Sequence, residues 1–237
     1  MARIIRFLAA IAILFTPPAV GFAQEKSVKP GVNDPFKNPD IAEWVTKFEG
    51  ESRETYQKRQ EIVAACKLKL GMIVADVGAG TGLYTRLFAE AVGKDGTVNA
   101  VDISPKFLEH IEASAKKLGV TNVKTVLGTD YSVELPDASA DLVFICDTYH
   151  HFEYPARMMH SIHKVLKSGG RVVLIDFIRV PGKSSEWVMG HVRAGQELVE
   201  KEIVECGFHK TSEIKDLLQE NYIVVFEKAS NSQPRDQ

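Results

Sequence analysis

Between residues 70 and 180 the apolar positions alternate between two spacings. Short continuous runs (Met72 to Val77, Thr97 to Val101, Val123 to Leu127, Leu142 to Cys146, Arg171 to Phe177) predict buried strands. Between them, stripes at three- and four-residue intervals predict helices. Leu83, Leu87, Phe88 and Ala91 form one, Phe107, Leu108, Ile111, Ala115 and Leu118 a second, and Met158, Met159, Ile162 and Val165 a third. Ser104-Pro105 is a good N-cap with proline at the first helical position, and Gly119 a C-cap. Strands alternating with helices of this length imply a parallel sheet covered on both faces. After a helix ending at Gly207, Tyr222 to Phe226 predicts a last strand, and the helix-poor stretch before it predicts a closing hairpin. The expected fold class is α/β: a Rossmann-like, doubly wound, seven-stranded and mostly parallel sheet with an antiparallel C-terminal edge hairpin.

Ahead of this region the pattern changes. Arg3 and Arg6 precede an apolar run, Phe7 to Phe15, too short to span a bilayer; Pro17-Pro18 and the small residues of Gly21-Phe22-Ala23 follow. This predicts a secretory signal over 1–23, cleaved before Gln24 and implying export, or else a membrane anchor if the leader is retained. Residues 24–39, with Pro30, Pro35 and Pro39, read as a linker and 40–70 as a helical lid, in which Tyr56 and Arg59 either cover a ligand or decorate a solvated helix face. The main domain is expected over 71–229, with a disordered tail at 230–237. His160 and His163 read as surface residues of their helix.

Composition is that of an ordinary globular protein, 45% apolar and 25% charged, with a net charge of −2. No basic patch points to nucleic acid. Cys66, Cys146 and Cys206 are odd in number and scattered, so they form neither a disulfide framework nor a metal-ligand pair.

The chemistry concentrates in Asp76-Val77-Gly78-Ala79-Gly80-Thr81-Gly82, between a predicted strand and helix. Glycines at alternate positions let the backbone turn tightly and approach a ligand. Asp102 ends the next strand, where a carboxylate can hold both hydroxyls of a ribose. Its competing role is to cap the helix at Pro105, which Ser104 already does. Dinucleotide sites space their glycines G-x-G-x-x-G around a pyrophosphate. Here the spacing is G-x-G-x-G, and a carboxylate at Asp76 would repel a pyrophosphate but attract an ammonium group. S-adenosylmethionine carries such an ammonium and no phosphate.

With these residues the chain resembles the class I S-adenosylmethionine-dependent methyltransferases, in particular the small-molecule subgroup that includes quinone C-methyltransferases. Asp76 to Gly82 is similar to the family's first motif and Val101 to Ser104 to its second. Gly128-Thr129-Asp130 with Leu135-Pro136-Asp137 and Asp141 is similar to the third, and Leu166 to Arg171 to the loop entering strand five. The resemblance implies S-adenosyl-L-methionine held by Asp76, Gly78, Gly80, Gly82, Asp102, Ile103, Asp130, Tyr131 and Asp147. Gly78, Gly80 and Gly82 would line the methionine and ribose portion, Asp76 engage the amino group, and Asp130 accept from adenine with Tyr131 alongside. Tyr149, His150 and His151, after strand four, would border the transferring methyl; a histidine there is also a common structural partner of its loop. Two adjacent histidines cannot both point inward on an extended chain. No metal is expected, and the acceptor would be a small molecule. His191 and Arg193 read either as pocket residues or as part of a solvated helix face. Two other readings stay open: a nucleoside-binding module without turnover, and a nicotinamide-dependent dehydrogenase. An exported chain would meet little of a cofactor made in the cytoplasm.

Overall fold

A computed structural model describes residues 24–229; the expected signal over 1–23 and the tail at 230–237 lie outside these residues. Four short helices come first: α1 (Asp34–Lys37), α2 (Ile41–Phe48), α3 (Glu54–Gln57) and α4 (Arg59–Ala65). Then follow β1 (Ile73–Val77), α5 (Leu83–Val92), β2 (Thr97–Asp102), α6 (Pro105–Leu118), β3 (Val123–Leu127) and β4 (Ala140–Cys146). A 3₁₀ turn (Tyr149–His151) leads into α7 (Pro155–Val165), β5 (Leu166–Phe177), α8 (Glu186–His191), α9 (Gln196–Glu205), β6 (Phe208–Ile214) and β7 (Asn221–Lys228).

The seven strands form one sheet in the order β3-β2-β1-β4-β5-β7-β6. Strands β1 to β5 pair in parallel, whereas β7 runs antiparallel between β5 and β6. The expected fold class is the observed one. Successive strand residues point to opposite faces, and the two faces bury separate clusters. Val74, Val98, Leu142, Phe144, Val173 and Ile175 pack against α4 and α5 through Ile62, Tyr84, Phe88 and Val92. Ala75, Val143, Ile145, Val172 and Leu174 pack against α7 and α9 through Met159, Ile162, Val199 and Ile203. Both faces being covered explains why β1, β4 and the end of β5 read as near-continuous apolar runs, whereas the edge strand β3 keeps Lys124 and Leu127 exposed.

The chain leaves β1 toward β2 on one side and reaches β4 on the other. Ligands in open α/β sheets bind at the crevice this reversal makes, beyond the carboxyl ends of the strands. Local chemistry sets the entry of α2, where the Asp40 carboxylate accepts from the N–H groups of Ala42 (3.0 Å) and Glu43 (3.3 Å). At α6 the outcome differs from expectation. Ser104 sits at the N-cap, yet its buried hydroxyl has no hydrogen-bond partner among the described residues. The Asp102 carboxylate instead takes the Ser104 N–H at 2.9 Å, so the aspartate organises the turn.

Candidate active site

A cavity of about 1110 Å³ lies at the carboxyl ends of β1, β2, β4 and β5. That is slightly above the usual range of about 300–1,000 Å³ for a site holding one small molecule. Its floor is the glycine loop, where Gly78, Gly80 and Gly82 all have positive φ (74°, 53° and 79°). Each glycine answers a different constraint. A Cβ on Gly78 would overlap the Thr148 side chain, one on Gly80 would lie 3.2 Å from the Phe48 ring, and one on Gly82 would lie 2.7 Å from Ile111. Gly78 and Gly80 face the cavity, whereas Gly82 serves the packing of α6 and is not on the wall.

Asp102 reaches the wall with both carboxylate oxygens engaged. Oδ2 accepts the Gly80 N–H at 2.9 Å and Oδ1 the Ser104 N–H. Each oxygen keeps a second lone pair, so holding the loop and holding a ligand's hydroxyls are compatible. Burial pushes this carboxyl up to about 6, against the pull of the N–H groups of Ser104, Gly80 and Ile103. Ile103 and Asp130 also line the cavity, and Asn33 donates to Asp130 at 3.4 Å. Tyr131 does not line it: the ring is exposed, with the Arg157 guanidinium 3.9 Å over its face.

Asp76 lies behind the loop rather than on the wall. Its carboxylate is buried and accepts from the Thr85 hydroxyl at 2.6 Å. Burial pushes it up to about 7; the Thr85 hydroxyl opposes this, and the charge of Asp102 adds to it. The folded chain therefore keeps a proton that the unfolded chain gives up near pH 4, and this source of stability is lost as pH rises toward 7. His151 and His191, both lowered, act in the opposite direction over an overlapping window, so a single melting curve mixes the two. The comparison with Asp76→Asn isolates the first. The stability of Asp76→Asn relative to wild type should grow from pH 5 to 7 and then level off, by a few kcal/mol at about 1.4 kcal/mol per pKa unit. Denaturant unfolding at a series of pH values measures it, and a pH-independent difference would remove the buried charge as the cause.

Asp147 has φ 49° and a buried carboxylate. Burial raises its pKa, and Arg53 counters the rise. One oxygen pairs with Arg53 and the other accepts from Asn221 Nδ2 at 2.6 Å. Arg53 also lies 4.9 Å over the Phe48 ring, and so ties the segment after α2 to the end of β4. An aromatic ladder continues the roof: Phe36 to Trp44 (4.7 Å), Trp44 to Phe48 (4.9 Å) and Phe48 to Phe107 (6.4 Å). In the stretch read as a linker, Val32 and Asn33 are buried and help line the cavity. Tyr56 and Arg59 do not form the cover; they stack on each other at 4.2 Å, away from the wall.

The residues after β4 correct a second expectation. Because Tyr149–His151 is a 3₁₀ turn and not an extended chain, successive side chains diverge by about 120°. Tyr149 turns into the core, where its hydroxyl donates to Glu202 at 2.9 Å, and it does not line the cavity. His150 and His151 both line it. His150 is fixed by Asp176, through Nδ1 at 2.7 Å and its backbone N–H at 3.1 Å. His191, from the last turn of α8, completes this end, with its Nε2 3.3 Å from His151 Nε2. Burial lowers His151 to about 2 and His191 to about 4, and the neighbouring imidazoles add to both, so the two rings are neutral at pH 7. His191, read from the sequence as either a pocket residue or part of a solvated face, thus lines the cavity, whereas no local spacing links Arg53 to the motifs and the sequence reading missed it. His163 is half-buried and Gly207 packs against its ring, while the His160 ring bonds the Ala156 carbonyl at 2.6 Å.

Residues 75–174 match a family model described as a methyltransferase domain. The chain is 30% identical over 118 residues to a demethylmenaquinone methyltransferase of Geobacillus stearothermophilus, covering 50% of each chain. It is 34% identical over 112 residues to a protein-L-isoaspartate O-methyltransferase of Methanococcus aeolicus, covering 47% of this chain and 49% of that one. The chain thus spans about half the length of the curated relatives it matches. In fold it is similar to a crystal structure of a SAM-dependent methyltransferase from Aquifex aeolicus, with TM-score 0.69 and 22% identity over 80% of this chain and 99% of that one.

Proposed function

We propose, from this chain's membership of the class I S-adenosylmethionine-dependent methyltransferases, that it transfers a methyl group from that donor to a small molecule bound under the aromatic roof. One observation carries the reading: the bare glycine floor and Asp102 share a single cavity with an acceptor end made of His150, His151, His191 and aromatic rings. S-adenosylmethionine, when bound, supplies an electrophilic methyl on a sulfonium. The chain's own contribution is alignment and exclusion of water, and positioning of this kind is worth roughly 7–11 kcal/mol.

The residues fit that ligand. Gly78 and Gly80 present backbone without side chains, as close approach of an amino-acid tail requires. Asp102 offers two free lone pairs for a ribose, and Asp130 an acceptor for an adenine amino group. Asp76 lies behind the loop as a carboxyl that burial keeps near its point of ionisation; an ammonium bound in front would favour its ionised form, whereas a phosphate would oppose it. At the other end, Phe36, Phe177 and Trp187 suit an acceptor with an apolar body. The imidazoles there would accept hydrogen bonds from a hydroxyl, thiol or amine. Asp176 holds His150 by Nδ1, which leaves the opposite ring nitrogen as the acceptor.

A melting experiment tests the donor. S-adenosylmethionine at 100 times its dissociation constant should stabilise the fold by about 2.7 kcal/mol, or roughly 5–10 °C for a domain of this size. NAD at the same concentration should leave the midpoint unchanged. A shift with NAD alone would overturn the reading, and tight donor binding without transfer to any of a panel of apolar hydroxyl, thiol and amine acceptors would favour a binding module instead.

A further inference from the structure

Three imidazoles converge at the acceptor end, which is more than binding one small molecule requires. One nitrogen from each of His150, His151 and His191 lies within 4.8 Å of the other two. The ring centroids are 4.3, 5.1 and 5.0 Å apart. The closest pair, Nε2 of His151 and Nε2 of His191, is 3.3 Å apart. Two ring nitrogens facing each other at that distance share either one proton or one cation. A tetrahedral zinc ion with bonds of about 2.0–2.1 Å to imidazole sets its donor nitrogens about 3.3 Å apart.

The rings are also held in place before any ion arrives. Trp187 stacks on His191 at 4.7 Å and 20°, Phe36 meets His151 edge-on at 4.9 Å, and the Asp176 carboxylate bonds His150 Nδ1. A carboxylate behind a ligating histidine fixes its tautomer and raises its basicity, the usual support of a metal-bound imidazole. It also supplies a negative charge next to the site. The Lys29 ammonium, bonded to the His191 carbonyl, opposes a cation from the other side.

We infer that His150, His151 and His191 form a binding site for one divalent transition-metal ion, zinc in the first instance, with a coordination position open to the cavity. A donor set of three imidazoles selects zinc, copper, nickel or iron over magnesium and calcium, which prefer oxygen. Ion binding depends on the three rings alone; its position beside a bound acceptor rests on the methyltransferase reading.

The test uses the untagged protein, freed of metal with a chelator and titrated with Zn²⁺ by calorimetry. One ion should bind per chain with a dissociation constant in the micromolar range or tighter, unaffected by millimolar Mg²⁺. His191→Gln should weaken it at least tenfold, whereas His209→Gln, at an exposed site on β6, should not change it. Co²⁺ should give the intense visible absorption of a four-coordinate ion, which follows the site without reference to activity. Absence of saturable binding, a weak six-coordinate cobalt spectrum, or affinity that survives both His191→Gln and His151→Gln would overturn the inference. None of these readouts depends on the methyl donor, so failure here and failure of the enzymatic reading are separable.

Discussion

Asp102→Ala is expected to lower affinity for S-adenosylmethionine by 100-fold or more and to destabilise the apo fold at the same time. The two effects have different origins. Charge-assisted hydrogen bonds are worth about 1.5–3 kcal/mol each, and two ribose hydroxyls would lose theirs. Independently, the buried N–H groups of Gly80 and Ser104 lose their acceptor, at about 1–3 kcal/mol each where water cannot replace it. Asp102→Asn separates the two. Its carbonyl can still serve one of the N–H groups, and it removes a charge that burial already penalises. It should therefore be the more stable of the two variants while still binding the donor poorly. Calorimetric titration and thermal melts on both variants provide the check. Unchanged donor affinity in Asp102→Ala would take this residue out of the site.

The second large effect is expected at Arg53. Replacing it with methionine keeps much of the packing against Phe48 but leaves the buried Asp147 carboxylate with only Asn221, and with the charge of Asp176 close by. Removing one partner of a buried pair costs about 3–5 kcal/mol, mainly because the other charge stays buried. For a domain of this size that is a fall in melting temperature of roughly 10 °C. The double variant Arg53→Met with Asp147→Asn should recover most of the loss. Asparagine is neutral and tolerates the left-handed backbone that position 147 adopts. A double-mutant cycle from denaturant unfolding measures the coupling. Additive losses would mean that the two side chains act independently.

What could be read from the sequence, and what could not, follows from where the information lies. The central strands were legible because both of their faces are covered, which leaves a near-continuous apolar run; the edge strand β3, with Lys124 and Leu127 exposed, was legible from its place in the alternation of strands and helices. Strand β6 was foreseen only as an arm of the closing hairpin, without bounds, since Phe208 is its one fully buried residue, Glu213 and Ile214 are half-buried and the four between are exposed. At the site, the glycine loop, Asp102 and Asp130 were legible because each sits at a strand end, at a position that the alternation of elements fixes. The direction of Tyr149 was not, because whether 149–151 continues as strand or turns as 3₁₀ depends on contacts with Asp176 and Glu202, which come from distant segments. His191 was recognised as a possible pocket residue, but its meeting with His151 across forty residues depends on how α8 packs. Arg53 carried no local signal at all, because its role is defined only by its distant partner.

The bare Cα of Gly80 lies directly beneath the Phe48 ring, and that contact links two parts of the chain with different histories of resemblance. The stretch that matches the methyltransferase model, 75–174, supplies the floor, while Phe36 and Phe48 come from before it and Trp187 and His191 from after it. On the proposed reading, the glycine floor falls within the matched stretch, whereas the acceptor end joins His150 and His151 from inside it to Phe36, Trp187 and His191 from outside. A substitution at Phe36, Trp187 or His191 would therefore reshape that end of the cavity while leaving Gly78 and Asp102 in place.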